Sequence, residues 1–240
     1  MSEISGTFFE NMKISFQKFL VILNFFVMDE TAQKIKEYFN NNYFEPISLN
    51  TIKMHIKKFR MILSNFVMEE MKNILFDDAV ELDETLLFKK KYNQNGRPRI
   101  LKIWLFGIIS KHQEEFVIYT TNRRTKEDLL PLILKHVAQN TEIHTDCFSV
   151  YVNNRTAPKT SNLSPYGYTH FWVNHKIEFV SEIIRNVHTN KVERLWGCIK
   201  NLAVLLKPKI LIEGIIAKLY MNRKLNKEEQ IKKILTLLRL

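Results

Sequence analysis

The sequence is poor in cysteine. Cys147 and Cys198 are the only two in 240 residues, so neither a disulfide framework nor a cysteine-based zinc site can be built, and a reducing interior compartment fits best. A long apolar run is also missing. The most hydrophobic early stretch, Phe19 to Met28, is too short to span a bilayer, is broken by Asn24 and has no small-residue cleavage site. It reads as a core helix, and no signal peptide, transmembrane segment or membrane partner is expected. No low-complexity tract or internal repeat is visible. Acids are outnumbered: 25 Asp and Glu face 36 Lys and Arg, a formal net charge of +11 with a pI near 9.5. That excess points to a polyanionic partner, nucleic acid before membrane, with a plain solubility charge as the alternative.

Core material is plentiful. Apolar residues make up 45% of a 28.6 kDa chain, room for one good-sized domain and a small accessory one. Residues 1–76 read as an all-helical module. Phe16, Phe19, Leu20, Leu23 and Val27 recur at helical spacing, Thr31 to Phe39 forms a second segment, and Ser48 is placed to cap a third helix over Leu49 to Leu63. A connecting helix, Phe66 to Phe76, is expected next. Lys53, Lys57 and Arg60 lie mostly away from the apolar stripe of the third helix, as in a helix-turn-helix DNA reader. The competing reading is a helical hairpin with a solvated basic face, and the loop from Asn40 to Ile47 is long for such a turn.

From Ala79 the pattern turns to strands. Val80 and Leu82 open the first, with Asp83 inside it, followed by a turn carrying Lys89, Lys90, Lys91, Arg97, Arg99 and Lys102 without one acid. Ile103 to Ile109 and Phe116 to Thr121 are further strands. Thr125 and Asp128 resemble a capping box ahead of a helix, in which Pro131 argues for a kink or a late start. Glu142 to Thr145 forms a fourth strand ending at Asp146, and Tyr168 to Val173 a fifth. Asn190 then caps a helix that carries Glu193 and runs to about Leu206. This β-β-β-α-β-α-β-α order predicts an α/β domain over residues 77–206, an RNase-H-like mixed five-stranded sheet with flanking helices. Residues 207–240 read as C-terminal helices that pack on or extend the core.

Asp83, Asp146 and Glu193 come from three separate elements of a basic protein. Phosphodiester cleavage needs an oxygen nucleophile activated and a departing oxyanion stabilised, which two Mg²⁺ or Mn²⁺ ions roughly 3.5–4 Å apart accomplish. Such ions take carboxylate oxygens and keep several waters, so three acids are sufficient ligands. Each acid has a plainer reading: Asp83 as a strand-edge acid, Asp146 as a turn residue, Glu193 as the acid of an Asn190-x-x-Glu193 capping box. Glu193, Gly197 and Lys200 stack on one helix face, where a glycine between an acid and a lysine suits close approach of a phosphate backbone. Lys89, Lys90, Lys91, Arg97 and Arg99 could clamp DNA beside Asp83 through phosphate contacts. Alternatively, they form a solvated turn. Asn174, His175, His188 and Asn190 are candidates for active-site support. Trp172 and Trp196 read as core, and the two cysteines as small buried side chains.

The runs Val80-Glu-Leu-Asp-Glu-Thr85, Leu105-Phe-Gly107, His144-Thr-Asp-Cys147, Tyr168-Thr-His170, Val173-Asn-His175 and His188-Thr-Asn-Lys-Val-Glu-Arg-Leu-Trp-Gly197, in this order, resemble the DDE transposases of the Merlin superfamily and their bacterial insertion-sequence (ISXO2-like) relatives. The resemblance spans about residues 79–201. It implies an RNase-H-like domain that cuts and rejoins transposon ends with divalent metal, and it assigns the acidic triad to Asp83, Asp146 and Glu193. It also implies terminal repeats and target DNA as partners, and a homodimer or larger synaptic assembly. Localisation would be nuclear in a eukaryotic host and cytoplasmic in a bacterial one. The zinc ribbon that many relatives carry at the N-terminus is absent, and Tyr220-Met-Asn-Arg223 matches the family's aromatic-Arg ending only loosely. These departures frame the alternative: a catalytically inactive or host-adopted DNA-binding protein.

Overall fold

A computed structural model describes residues 12–42, 45–94, 96–153, 158–173, 189–206 and 212–238. In chain order the helices α1 (Phe16–Val27), α2 (Ala32–Asn41) and α3 (Leu49–Lys72) precede the strands β1 (Val80–Gln94), β2 (Arg97–Ser110) and β3 (Phe116–Thr121). Helix α4 (Lys126–His136), the strands β4 (Glu142–Asp146), β5 (Val152–Asn153), β6 (Thr160–Ser161) and β7 (Thr169–Val173), and helix α5 (Asn190–Leu206) follow. Helices α6 (Ile212–Lys224) and α7 (Lys227–Leu237) close the chain. Two compact units result, one of residues 1–69 and 203–240, the other of residues 70–202. Among the described residues no helix is long and apolar enough to cross a membrane.

The first unit is helical. Ser15 and Thr31 cap α1 and α2, each accepting from the backbone amide three residues on, which satisfies donors the helix leaves without partners. Ser48 does the same for α3, accepting from the Thr51 amide at 3.0 Å, as its place in the sequence predicts. Helix α3 is one element of 24 residues, where the sequence reading has a helix to Leu63 and a separate connector. Leu63, Ser64, Val67 and Met71 carry the buried stripe through that point, and no glycine or proline interrupts it. The rings of Phe19 and Phe26 pack on Phe59, with centroids 5.5 and 5.4 Å apart. Lys218, buried on α6, donates to the Val27 carbonyl at 3.0 Å, to Asn222 Oδ1 at 2.9 Å and to Gln230 Oε1 at 3.0 Å. Its ammonium also lies 3.3 Å from Asp29 Oδ1.

The second unit is built on a five-stranded sheet of order β3-β2-β1-β4-β7. The first three strands are antiparallel, while β1 with β4 and β4 with β7 run parallel. This is the mixed RNase-H-like sheet expected from the sequence. The turn after β3 leads into α4, whose Thr125 does not form the anticipated capping box: its hydroxyl donates to the Asp128 carboxylate at 2.9 Å and no side-chain cap is made to the backbone. The helix continues through Pro131, which removes the amide that would otherwise bond to the carbonyl four residues back. β1 and β2 are longer than their apolar cores predict. Past the register shift at Leu86/Phe88 they pair only with each other among the described residues, from Phe88↔Ile103 to Gln94↔Arg97. At about 3.3 Å per residue these pairs make a ribbon roughly 20 Å long. Lys89, Lys90, Lys91, Arg97 and Arg99 lie on it, with Lys89 opposite Lys102.

Candidate active site

Parallel pairing of β1 with β4 sets the first two acids together. Val80 faces Ile143 and Glu81 faces His144; the same register carried two residues further puts Asp83 beside Asp146. Side chains alternate across a strand, so Glu81 and Asp83 share one face of β1, the face on which α5 lies. Asp146 Oδ1 accepts from the Phe148 amide at 2.8 Å. The turn role that competes with a functional one is therefore present, and it holds the carboxylate at the strand end.

Helix α5 is attached to β1 at two levels. At its first turn, the backbone N–H groups of Lys191 and Val192 donate to Glu81 Oε2 at 2.8 and 3.0 Å. Glu81 is fully buried, and its negative charge meets the positive end of the helix dipole. One turn on, the Trp196 indole N–H donates to Asp83 Oδ2 at 2.8 Å. Glu193 stands between the two attachments. The helix begins at Asn190, one residue earlier than an Asn190 cap requires, which puts Thr189 in the cap position. The Glu193 amide closes the first turn onto the Thr189 carbonyl at 3.0 Å, and the Thr189 hydroxyl donates to Glu193 Oε1, also at 3.0 Å. An Asn190-to-Glu193 capping box is thus excluded by register. Glu193, Gly197 and Lys200 are all exposed, and a Cβ added at Gly197 would meet nothing within 4 Å, so this helix face is open.

Trp196 reaches Asp83 because Gly107 makes room. Gly107 is the β2 residue opposite Asp83, and a Cβ there would come within 2.6 Å of Trp196 Cη2 and 2.9 Å of Cζ2. No real side chain tolerates that approach, so Gly107→Ala has to displace the indole from Asp83. Such overpacking is expected to lower stability by about 2 kcal/mol, read in a urea melt, together with a changed tryptophan emission spectrum. An unchanged melt and spectrum would show that the indole is not held as described.

The electrostatics bind the three acids into one group. Burial pushes the Asp83 carboxyl up to about 6. The Trp196 and Glu84 hydrogen bonds oppose that rise, and the negative charges of Asp146 and Glu193 add to it. Hard divalent cations take carboxylate oxygens, and a cation would relieve the repulsion that Asp83 feels from both neighbours. The donor chemistry therefore fits Mg²⁺ or Mn²⁺. Among the described residues no three His, Cys, Asp or Glu side chains form a ready-made cage, in keeping with the solvent exposure of Glu193.

The remaining sequence candidates are dispersed. Lys53 and Lys57 are exposed and Arg60 half-buried on α3, in the helical unit. Lys89, Lys90, Lys91, Arg97 and Arg99 belong to the β1–β2 ribbon. Asn190 is exposed at the start of α5. Asn174, His175 and His188 lie outside the described residues. Cys147 and Cys198 are half-buried rather than buried, and Trp196 is core as expected. The residue that sequence reasoning overlooked is Glu81, which looks like one more acid in a local cluster. Its fully apolar flanks, Val80 and Leu82, are the only hint of burial.

The sequence model of the ISXO2-like transposase domain matches residues 76–204. No curated protein matches the chain. Among solved structures, a chain of the simian T-cell lymphotropic virus intasome in complex with PP2A regulatory subunit B56 gamma is 15% identical, with a TM-score of 0.39 over 64% of this chain and 51% of that one. The HTLV-2 integrase catalytic core domain in complex with magnesium, in its trimeric form, is 18% identical, with a TM-score of 0.36 over 63% of this chain and 88% of that one. This chain thus spans about half the length of the intasome chain it matches.

Proposed function

Since the chain belongs to the ISXO2-like transposase domain family, we propose that it is a DDE-type DNA transposase, cutting and rejoining DNA at transposon ends. One observation carries this reading most directly. Asp83 and Asp146 are neighbours on the paired strands β1 and β4, and Glu193 acts on Asp83 from a helix mounted on the same strand. Asp83, Asp146 and Glu193 are the residues that would hold two Mg²⁺ or Mn²⁺ ions. When bound, such ions activate an attacking oxygen and stabilise a departing one.

The chain's own residues supply the rest. Water attacks the strand at a transposon end, and the freed 3′-hydroxyl then attacks target DNA. The open face at Gly197 lets a phosphate backbone come close, with Lys200 beside it. Lys89, Lys90, Lys91, Arg97 and Arg99 give the β1–β2 ribbon a run of cations for backbone phosphates, and a two-stranded ribbon is narrow enough for a major groove. Lys53, Lys57 and Arg60 offer a second basic surface in the helical module. Asn174, His175, His188 and Asn190 are assigned to support of the site. Two copies or more are needed to hold two ends at once.

The test is cleavage of a labelled duplex that carries the inverted repeat flanking the gene. The expected result is a metal-dependent cut at the repeat end, stopped by chelator, followed by joining of that end to a second duplex. Binding without a cut would assign the chain to inactive, host-adopted DNA-binding proteins. A cut without joining would make it a nuclease.

A further inference from the structure

The side of the sheet away from α5 holds an ionisable cluster that the reading above does not use. Glu84 follows Asp83 and so points to the opposite face of β1. Its side chain is only 2% exposed. It accepts a hydrogen bond from the Tyr151 hydroxyl, and the Arg124 guanidinium stands 3.7 Å from its other oxygen. Arg124 is itself sandwiched, 3.8 Å above the Trp104 ring and 4.5 Å from that of Phe148. Phe148 and Tyr151 bound the turn that follows β4, closed by the Tyr151 amide on the Phe148 carbonyl at 2.9 Å. The Phe148 amide is the group that holds Asp146 Oδ1.

A chain of contacts therefore runs from Glu84 through Arg124 to Phe148, and from Glu84 through Tyr151 to the same turn. Both end at the carboxylate of Asp146. Burying a carboxylate and clamping a guanidinium is a poor way to gain stability alone, because an apolar side chain of the same size would fill the space without desolvating a charge. We propose that Glu84 and Arg124 are positioning residues that set the orientation of the Asp146 carboxylate from behind the sheet. The inference rests on Asp146 being a metal-holding residue, as assigned above. Outer-layer groups that orient such ligands typically change metal affinity or activity by about 10–100-fold when removed.

Glu84→Met tests this, since methionine fills the site without an acceptor. The thermal midpoint should fall, since Arg124 and the Tyr151 hydroxyl lose their partner. At a temperature where the variant is fully folded, Mn²⁺ affinity measured on the protein alone should fall about tenfold, and kcat for end cleavage should fall 10–100-fold at unchanged KM for DNA. Glu84→Gln, which keeps an acceptor for Tyr151, should return to within about threefold of the parent. If Glu84→Met does not fold, Arg124→Met, which keeps the packing over Trp104 and Phe148, carries the same expectations. A folded variant with parental Mn²⁺ affinity and kcat overturns the proposal, and so does a loss that tracks only a lowered midpoint. A parent chain that neither binds Mn²⁺ nor cuts DNA sinks the transposase reading and this inference with it. A parent that does both, with Glu84→Met indistinguishable from it, sinks the inference alone.

Discussion

Asp83→Asn is expected to reduce end cleavage by roughly a thousandfold or more, equivalent to about 4 kcal/mol at the transition state, while leaving the domain folded. Asparagine is nearly isosteric, and its amide oxygen can still accept from the Trp196 indole that now meets Asp83 Oδ2 at 2.8 Å. What disappears is the charge at the centre of the acidic group. The same change should strengthen the metal-free protein. The Asp83 carboxyl is raised from its ordinary 3.8 to about 6, by burial first and by Asp146 and Glu193 after it. A carboxyl with a raised folded-state value contributes stability that is present at low pH and lost as pH rises through about 6. Above that pH the parent bears the full penalty of the ionised group, whereas asparagine bears none. Discounted for the group's partial exposure, the variant should gain about 1–2 kcal/mol at neutral pH, a difference that fades towards pH 4. Denaturant melts at several pH values in chelator, beside cleavage assays with metal, check both halves. A fully active variant would remove Asp83 from the chemistry.

Lys218→Met should have the largest effect on the helical unit, a loss of about 3 kcal/mol. Burial pulls the Lys218 ammonium down to about 8, so it is still charged at neutral pH, and it donates to Val27, Asn222 and Gln230 at 2.9–3.0 Å. Those acceptors come from α1, α6 and α7, whose mutual placement the one cation sets. Methionine fills the volume but donates nothing, leaving buried oxygens without that partner. Lys227, which also reaches the Val27 carbonyl at 2.7 Å, limits the loss. Urea unfolding is the measurement, and a change below about 1 kcal/mol would show that Lys227 alone suffices.

The sheet and its two acids were legible because their signals are local. Val80 and Leu82 alternate around Glu81, Asp146 closes a short apolar strand, and Ser48 heads a helix whose apolar residues return at regular spacing. Long-range partnerships were not legible. Glu81 looks like surface charge until Lys191 and Val192 are seen to need an acceptor. Gly107 stands in a short run whose purpose lies in Trp196, far along the chain. The sequence alone puts the start of α5 one residue late, because Thr189 and Asn190 are both good caps and tertiary placement decides between them. Lysine-rich, proline-containing strands violate the composition expected of strands, so the sequence marks a basic turn with hairpin chemistry where the chain in fact extends into a ribbon.

The double mounting of α5 has a consequence for time rather than place. Attachments to Glu81 at the first turn and to Asp83 one turn later block both sliding and rolling of the helix against the sheet. Glu193, between them, keeps only the torsions of its own side chain, whose Oε1 the Thr189 hydroxyl holds at 3.0 Å. Its carboxylate can therefore turn towards the aspartate pair by exchanging that one hydrogen bond, a side-chain event with no backbone rearrangement to set the pace.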